Sequence, residues 1–366
     1  MRILLTGGGS GGHIFPLIAV ARKLKINPDI RIMYIGPDSF SKETLKQEGI
    51  SAKYILAGKM RRYLSPLVFL DLLKIPVGFF QSYWHTFWFM PDAIFSKGGY
   101  GGVLPVIVGW LFLIPIIIHE SDSVPGLANR ILARIAKKIM VSFDVTLAFF
   151  PAKKVILAGN PVRSELFEKV LKNAVEVLGI RSKKPIVLVL GGSQGAQQIN
   201  ELTLLALPDL IKKYEIIHQC GAQNIRQVQK GAIIQLKDGE EKALYHTYPV
   251  LSEEEMASAY ALARVVISRA GSGAIFEIAA AGKPSILIPY APAAGGHQEK
   301  NAHAYAETGA AVVLEGENLT PHMIVNEVVS IVESMERLKS MSEAARRFAK
   351  PDAASKIAEE VIKLTT

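Results

Sequence analysis

His13 follows directly on a run of glycines and one serine, GGGSGG at 7–12, in a chain of 366 residues. A histidine at a helix start meets the positive end of the helix dipole, which disfavours imidazolium and leaves a neutral ring able to accept a proton. Arg163, in Gly159-Asn160-Pro161-Val162-Arg163, offers a rigid guanidinium that can grip a diphosphate through two bonds. Ser193, in GGSQGA, can present an amide and a hydroxyl to a phosphate. Glu277 follows Arg269-Ala270-Gly271-Ser272-Gly273-Ala274 and is expected on the first turn of a helix, where its carboxylate can accept both hydroxyls of a ribose. Gln298, in HQEKNA, can read sugar hydroxyls. His119-Glu120-Ser121-Asp122 is expected to follow a strand, with Asn129 beyond it in GLANR. A proton acceptor, phosphate binders on glycine loops and sugar-reading groups together suit the transfer of a sugar from a nucleotide. Each residue also has a plainer use: His13 and Glu277 can serve helix starts, and Arg163 can pair with a helix end.

Two other chemistries fit less well. Gly7, Gly9 and Gly12 satisfy G-x-G-x-x-G, but a dinucleotide site also wants an acidic residue near the end of the second strand. That strand ends Tyr34-Ile35-Gly36, with Asp38 two residues too late, so NAD is not expected and neither is any other cofactor. His13, His119, Glu120 and Asp122 are possible metal ligands, but no spacing among them defines a site, and no metal is expected.

The elements that must position these groups alternate between strand and helix, which argues for parallel sheets with crossover helices. RILLT (2–6) reads as a strand that runs into the first glycine loop and a helix from Ile14 to about Leu24. IVLVL (186–190) reads as a strand that runs into GGSQGA and a helix from about Gln197. GGSGG at 8–12 and GGSQG at 191–195 agree at four of five positions. A second pair follows in the same order: AIFSKGGYGG (93–102) and VVISRAGSGA (265–274) both read strand, Ser, basic residue, glycine turn, helix. Strands are then expected at Ile114–Ile118 and Ser285–Pro289. The chain therefore reads as two related α/β domains, expected at 1–162 and 163–349, with a last helix at about 350–366 returning to the first.

Composition narrows the partners. Hydrophobic residues make up 49% and charged residues 20%, which fits a globular chain. The net charge of +9 favours anionic partners, but the Lys and Arg are scattered and no nucleic-acid motif occurs, so nucleic acid is not expected. The single cysteine, Cys220, can close no internal disulfide, which fits a reducing compartment. MRILLTGGG is too short for a signal peptide or a span and reads as a first strand. Residues 64–90 carry Leu64, Phe69, Phe79, Phe80, Tyr83, Trp84, Phe87, Trp88 and Phe89, with Lys59, Arg61, Arg62 and Lys74 nearby. Pro66, Pro76, Asp71 and His85 argue against a span, whereas an apolar aromatic face with a basic rim suits a membrane surface. Core packing or an oligomer face would use the same residues. Val103–Ile118, divided by Pro105 and Pro115, reads as a buried helix and a central strand.

GGGSGGHIFP, SKGGYGG, HESDSVPGLANR, GNPVR, GGSQGA, SRAGSGAIFEIAAAGKP and HQEKNA occur in this order. In these motifs, from Arg2 to about Ala302, the chain resembles the MurG family. These are the UDP-N-acetylglucosamine transferases acting on undecaprenyl-pyrophosphoryl-muramoyl-pentapeptide. The resemblance implies an α/β GT-B glycosyltransferase fold of two Rossmann-like domains, with the active site in the cleft. It implies UDP-N-acetylglucosamine (UDP-GlcNAc) as donor, the lipid-linked muramoyl-pentapeptide as acceptor, and peripheral attachment to the cytoplasmic face of the cell membrane through residues 59–90. Carried onto this sequence, donor contacts would come from Ser10, Gly11, Gly12, Asn129, Arg163, Ser193, Glu277 and Gln298, with Ser272, Gly273 and Ala274 beside the sugar and phosphates. The uracil would be read by backbone near Leu251, in VLSEEEM, which carries an apparent one-residue insertion. Gly9, His13, Tyr100 and His119 would meet the acceptor. His13 is the first candidate for catalytic base and Glu120 the second. Ser10 stands where the family often has Thr, and Ser121-Asp122 replaces the more usual Gln-Asn. A UDP-GlcNAc 2-epimerase, a transferase with another acceptor, and a non-catalytic nucleotide-sugar binder are the competing readings.

Overall fold

The structure is a computed structural model that describes residues 1–9, 11–37, 41–58, 67–163, 167, 173–180, 182–192, 195–237, 239–290, 296–316 and 319–365. Ser10, Ser193, Lys59, Arg61, Arg62 and Leu64 lie outside the described residues. The chain divides into two compact units, Met1–Arg163 with Lys350–Thr366, and Ser164–Ala349. Arg163 closes the first unit.

In the first unit the strands are β1 (Arg2–Thr6), β2 (Arg31–Gly36), β3 (Ser51–Tyr54), β4 (Ala93–Ser96), β5 (Ile116–Glu120), β6 (Lys138–Val141) and β7 (Val155–Leu157). The helices are α1 (Gly11–Leu24), α2 (Ser41–Gln47), α3 (Leu67–Phe89), α4 (Tyr100–Leu111) and α5 (Leu127–Leu132), with a 3₁₀ turn at Asp144–Phe149. The sheet is parallel, in the order β3-β2-β1-β4-β5-β6-β7. Helices cover a sheet of this kind on both faces, which is why β1, β4 and β5 are near-continuous apolar runs buried along almost their whole length. The strand order reverses between β1 and β4, the switch point at which open α/β sheets hold ligands.

The second unit repeats the plan. Its strands are β8 (Ile186–Leu190), β9 (Glu215–Gln219), β10 (Tyr245–Tyr248), β11 (Ala263–Ser268), β12 (Ser285–Leu287) and β13 (Ala311–Val313), all parallel, in the order β10-β9-β8-β11-β12-β13. Its helices are α6 (Ala174–Val177), α7 (Gln197–Lys213), α8 (Ile225–Gln235), α9 (Gly239–Lys242), α10 (Glu253–Leu262), α11 (Ser272–Ala280), α12 (His297–Ala306), α13 (Pro321–Glu333) and α14 (Met335–Phe348). The reversal falls between β8 and β11. The two loop pairs that matched in the sequence are therefore the switch-point loops of the two sheets. A last helix, α15 (Ala353–Lys363), belongs to the first unit, where Ala354, Ile357, Ala358 and Val361 join the core beside α1.

Four elements have boundaries that differ from expectation. Helix α1 begins at Gly11, so the last two glycines of the loop form its first turn. Strand β5 runs on through His119 and Glu120, because the neighbouring strand β6 pairs with both. Strand β12 stops at Leu287, where its pairing with β11 and β13 ends. Helix α11 starts at Ser272, which places Glu277 on its second turn. Helix α3 turns its small residues inward, together with Phe79 and Phe89, and its other described aromatics outward. Gly78, Ser82 and Thr86, four residues apart, are buried, and a Cβ at Gly78 would collide with the Leu56 carbonyl. Phe80, Trp84 and Trp88 on the other side are 70%, 59% and 67% exposed. Among the described residues no helix is long and apolar enough to cross a membrane.

Candidate functional site

At the first switch point the loops after β1 and β4 touch. A Cβ on Gly99 would stand 3.2 Å from the Gly8 Cα and 3.0 Å from His13 Nε2. A Cβ on Gly8 would stand 3.2 Å from His13 Nδ1. The imidazole thus lies between two glycines, each bare so that the ring can approach the backbone. Gly99 also has φ 73°, a conformation glycine adopts without strain. His13 is the third residue of α1, held neutral chiefly by burial and secondarily by nearby Lys97, against the opposing pull of Asp122; together these lower its pKa to about 4. The expected helix-dipole effect is not the leading cause. Tyr100 opens α4 and is partly exposed, as is Gly9.

Beneath these loops lies a buried polar floor. Lys97, the residue after β4, is 1% exposed. Its Nζ donates to Asn160 Oδ1 at 2.7 Å and lies 2.5 Å from His119 Nδ1. His119 Nε2 is 2.9 Å from the Gly159 carbonyl, so Nε2 carries the proton and Nδ1 accepts from Lys97. Burial, the largest cause, holds the His119 pKa well below its ordinary value. The expectation that His119 meets an acceptor is corrected: it is fully buried, with both ring nitrogens engaged inside the protein. Lys97 itself was missed. Its only sequence signal was a basic residue between a strand and a glycine pair.

Glu120 is corrected as well. Its Oε1 accepts the Asp122 amide at 3.0 Å, and its Oε2 accepts the Gly126 amide at 3.0 Å and Asn129 Nδ2 at 2.9 Å. Burial and the Asp122 charge raise its pKa. A carboxylate whose two oxygens fasten the 121–126 turn is poorly placed to take a proton from a substrate. Asn129, expected at the donor, is buried and spends its Nδ2 on Glu120 and on the His119 carbonyl at 3.1 Å. Its carboxamide lies under Gly98, whose φ of 75° and missing side chain make room for it. Arg163 sets its guanidinium carbon 5.0 Å from the Phe15 ring centroid.

At the second switch point the loop after β8 has Gly192 at φ 76° and Gly195 at φ 80° before α7 begins. The loop after β11 leads into α11, whose first-turn amides, from Ser272, Gly273 and Ala274, have no acceptor within the helix. A Cβ on Gly271 or Gly273 would meet nothing within 4 Å, so open space lies above this helix start. Such a terminus suits an anion. Glu277 is partly exposed and its Oε2 accepts from Tyr260 Oη at 3.4 Å. Gln298, near the start of α12, accepts the Tyr290 amide through Oε1 at 3.0 Å. Leu251 is buried and its N–H is already bound to Gln219 Oε1 at 3.0 Å, which leaves only its carbonyl for a base-reading role. Arg269 stacks on the Tyr290 ring, with its guanidinium carbon 4.7 Å from the centroid. Among the described residues one further group could face a cation: Glu299, His303 and Glu315, all exposed, with ligand atoms within 4.8 Å of one another.

Residues 3–141 match the glycosyltransferase family 28 N-terminal domain, and residues 186–357 match the glycosyltransferase family 28 C-terminal domain. The chain is 37% identical to the UDP-N-acetylglucosamine–N-acetylmuramyl-(pentapeptide) pyrophosphoryl-undecaprenol N-acetylglucosamine transferase of Treponema denticola, over 95% of this chain and 93% of that one. It is 38% identical to a protein of the same description in Bacillus cereus, over 93% and 94%. The crystal structure of Acinetobacter baumannii MurG superposes with a TM-score of 0.74 at 26% identity, covering 99% of both chains. A UDP-GlcNAc 2-epimerase from Neisseria meningitidis superposes with a TM-score of 0.70 at 15% identity, over 99% of this chain and 100% of that one, which shows a shared fold alone.

Proposed function

The chain belongs to the MurG family of family 28 glycosyltransferases, and on that premise we propose how its two units carry out one sugar transfer. It moves N-acetylglucosamine from UDP-GlcNAc to the C4 hydroxyl of undecaprenyl-pyrophosphoryl-muramoyl-pentapeptide, a step of peptidoglycan synthesis. The carrying observation is the near-full-length identity to transferases of this description, against 15% to the epimerase. The reaction is a single inverting displacement. The acceptor oxygen attacks the anomeric carbon, the bond from that carbon to the diphosphate breaks, UDP leaves, and an α-linked donor gives a β linkage. The transition state has oxocarbenium character.

In our reading His13 takes the hydroxyl proton. It is neutral at working pH, and its ring sits between the two glycine loops, against Gly8 and Gly99. A diphosphate bound near the ring would oppose the downward shift of its pKa, because a neighbouring anion favours imidazolium. Gly9 and Tyr100 line the same loop pair and are assigned to the acceptor, with Gly11 and Gly12 reaching the sugar. In the second unit the amides of Ser272, Gly273 and Ala274 cradle the leaving diphosphate, Glu277 accepts from the ribose, Gln298 reads the sugar, and the Leu251 carbonyl reads the uracil. Arg163 neutralises charge on the diphosphate. Oriented amides and guanidinium groups aimed at developing charge are the main source of rate in such sites.

The outward aromatics of α3 are assigned to the cytoplasmic face of the membrane, where Trp and Tyr rings settle at the headgroup level. Trp84→Ser combined with Trp88→Ser should abolish co-sedimentation with anionic vesicles and leave transfer to a short-chain, detergent-soluble acceptor within about twofold, because neither ring is in the core. The decisive assay supplies labelled UDP-GlcNAc with and without a lipid-pyrophosphate muramoyl acceptor. Label transfer that depends on acceptor is expected. Release of UDP together with free N-acetylmannosamine would sink the transferase reading in favour of the epimerase.

A further inference from the structure

Lys97 is a buried amine that the transfer mechanism above does not use. Three segments converge on it. Its own loop hangs from β1 through the Lys97 amide, which donates to the Thr6 carbonyl at 2.9 Å. Its Nζ reaches His119 on β5 at 2.5 Å and Asn160 beyond β7 at 2.7 Å. His119 in turn holds the Gly159 carbonyl at 2.9 Å. Gly159 has φ 87° and packs against the Lys350 side chain, so the turn that leads to Arg163 is gripped from both sides.

We propose that Lys97 is a positioning residue for the transfer, an uncharged strut that fixes the Gly159–Asn160 turn, and Arg163 beyond it, beneath the first glycine loop. The proposal rests on the transferase reading. The hydrogen-bond arithmetic favours the free amine. Neutral –NH₂ has two protons and finds two acceptors, His119 Nδ1 and Asn160 Oδ1. An ammonium would bring a third proton and a full charge into a position that is 1% exposed. The titratable and charged groups around it are His13 from α1, His119 and Glu120 from β5, Asp122 from the turn after β5, and Lys350 against Gly159. Burial draws the Lys97 pKa down to about 7, while Glu120 and Asp122 pull it up.

The test compares charge with shape. Lys97→Met keeps the stem and loses the charge, whereas Lys97→Arg keeps a charge that cannot be shed. If the strut acts uncharged, the Lys97→Met enzyme should keep at least tenfold more kcat than the Lys97→Arg enzyme, with the KM for UDP-GlcNAc changed less than kcat in both. An arginine variant that matches or exceeds the methionine variant would overturn the proposal. Should either variant fail to fold, Asn160→Asp is the same size and places a carboxylate against Nζ. It should move the acid limb of the kcat–pH profile upward by about one to three pH units, since an adjacent anion stabilises the ammonium by that much. An unmoved limb would overturn the strut while leaving the transferase reading intact. A readout without turnover is the ¹⁵N resonance of the Lys97 amine in the wild-type chain. About one pH unit above 7 it should report mostly neutral amine, and an ammonium there would overturn the proposal even in a chain that transferred nothing.

Discussion

Lys97 and Arg269 occupy the same place in the two units, one residue past the strand that borders the switch point, and they do opposite things. Lys97 turns inward onto His119 and Asn160 and is almost wholly buried. Arg269 stays partly exposed and sets its guanidinium carbon over the Tyr290 ring. A lysine can enter a buried floor because it can give up its proton; an arginine cannot, and sets its weakly hydrated plane over an aromatic ring instead. The surroundings follow the same division. Around Lys97 are His13, His119, Glu120 and Asp122, a cluster whose protonation states are mutually dependent. On the other side of the switch point in the second unit, β9 buries His218, which bonds Tyr245 Oη at 2.7 Å and Asn200 Oδ1 at 3.0 Å. On the proposed mechanism one sheet edge handles protons and the other holds an anion.

That contrast can be broken most directly at His13. His13→Ala should lower transfer about 10²–10⁴-fold, the usual worth of a general base, while calorimetry shows UDP binding unchanged. Wild-type turnover in that variant would remove the proton-handling half of the comparison. Arg163→Ala should cost about 1.5–3 kcal/mol of charge-assisted bonding to the diphosphate, which is roughly 10–100-fold in kcat/KM for the donor. A loss confined to the acceptor's KM would show that Arg163 serves the other substrate.

The buried histidine of β9 is tested by pH. Burial lowers the His218 pKa from 6.5 to about 3, so between those values the unfolded chain binds a proton that the folded chain refuses. The stabilisation is complete above 6.5 and is lost as pH falls towards 3, at up to about 1.4 kcal/mol per pH unit. His218→Gln should flatten that part of the curve in urea titrations of the second unit's transition. An unchanged slope would mean that His218 is not kept neutral by the fold. The smallest effect belongs to Arg269→Ala, which should cost about 0.5–1 kcal/mol of stacking on Tyr290 and no more, measured by the same titrations. A larger loss would give Arg269 a buried role resembling that of Lys97.

Much of this was legible in the sequence, for identifiable reasons. The apolar runs RILLT and IVLVL can only be buried parallel strands, and the paired glycine loops had to sit where those strands end. The fate of Lys97 did not follow, because its partners lie 22 and 63 residues away and a lysine beside two glycines reads equally well as a phosphate ligand. Glu120 misled for a related reason. Residue type and position at a strand end suggested contact with substrate, but the 121–126 turn has amides of its own to satisfy, and it uses that carboxylate. The start of α1 was misplaced because glycine is a poor helix former, and its acceptance into a first turn depends on the loop around it.

The return of α15 to the first unit has a consequence for synthesis. Residues 350–365 leave the ribosome after the whole of the second unit, yet Ile357 and Val361 are completely buried in the core of the first. The N-terminal sheet is therefore made first and finished last. Until α15 has been made, the groove that it fills beside α1 is open apolar surface on an incomplete domain, while the second unit already has all of its own residues and can fold ahead of it.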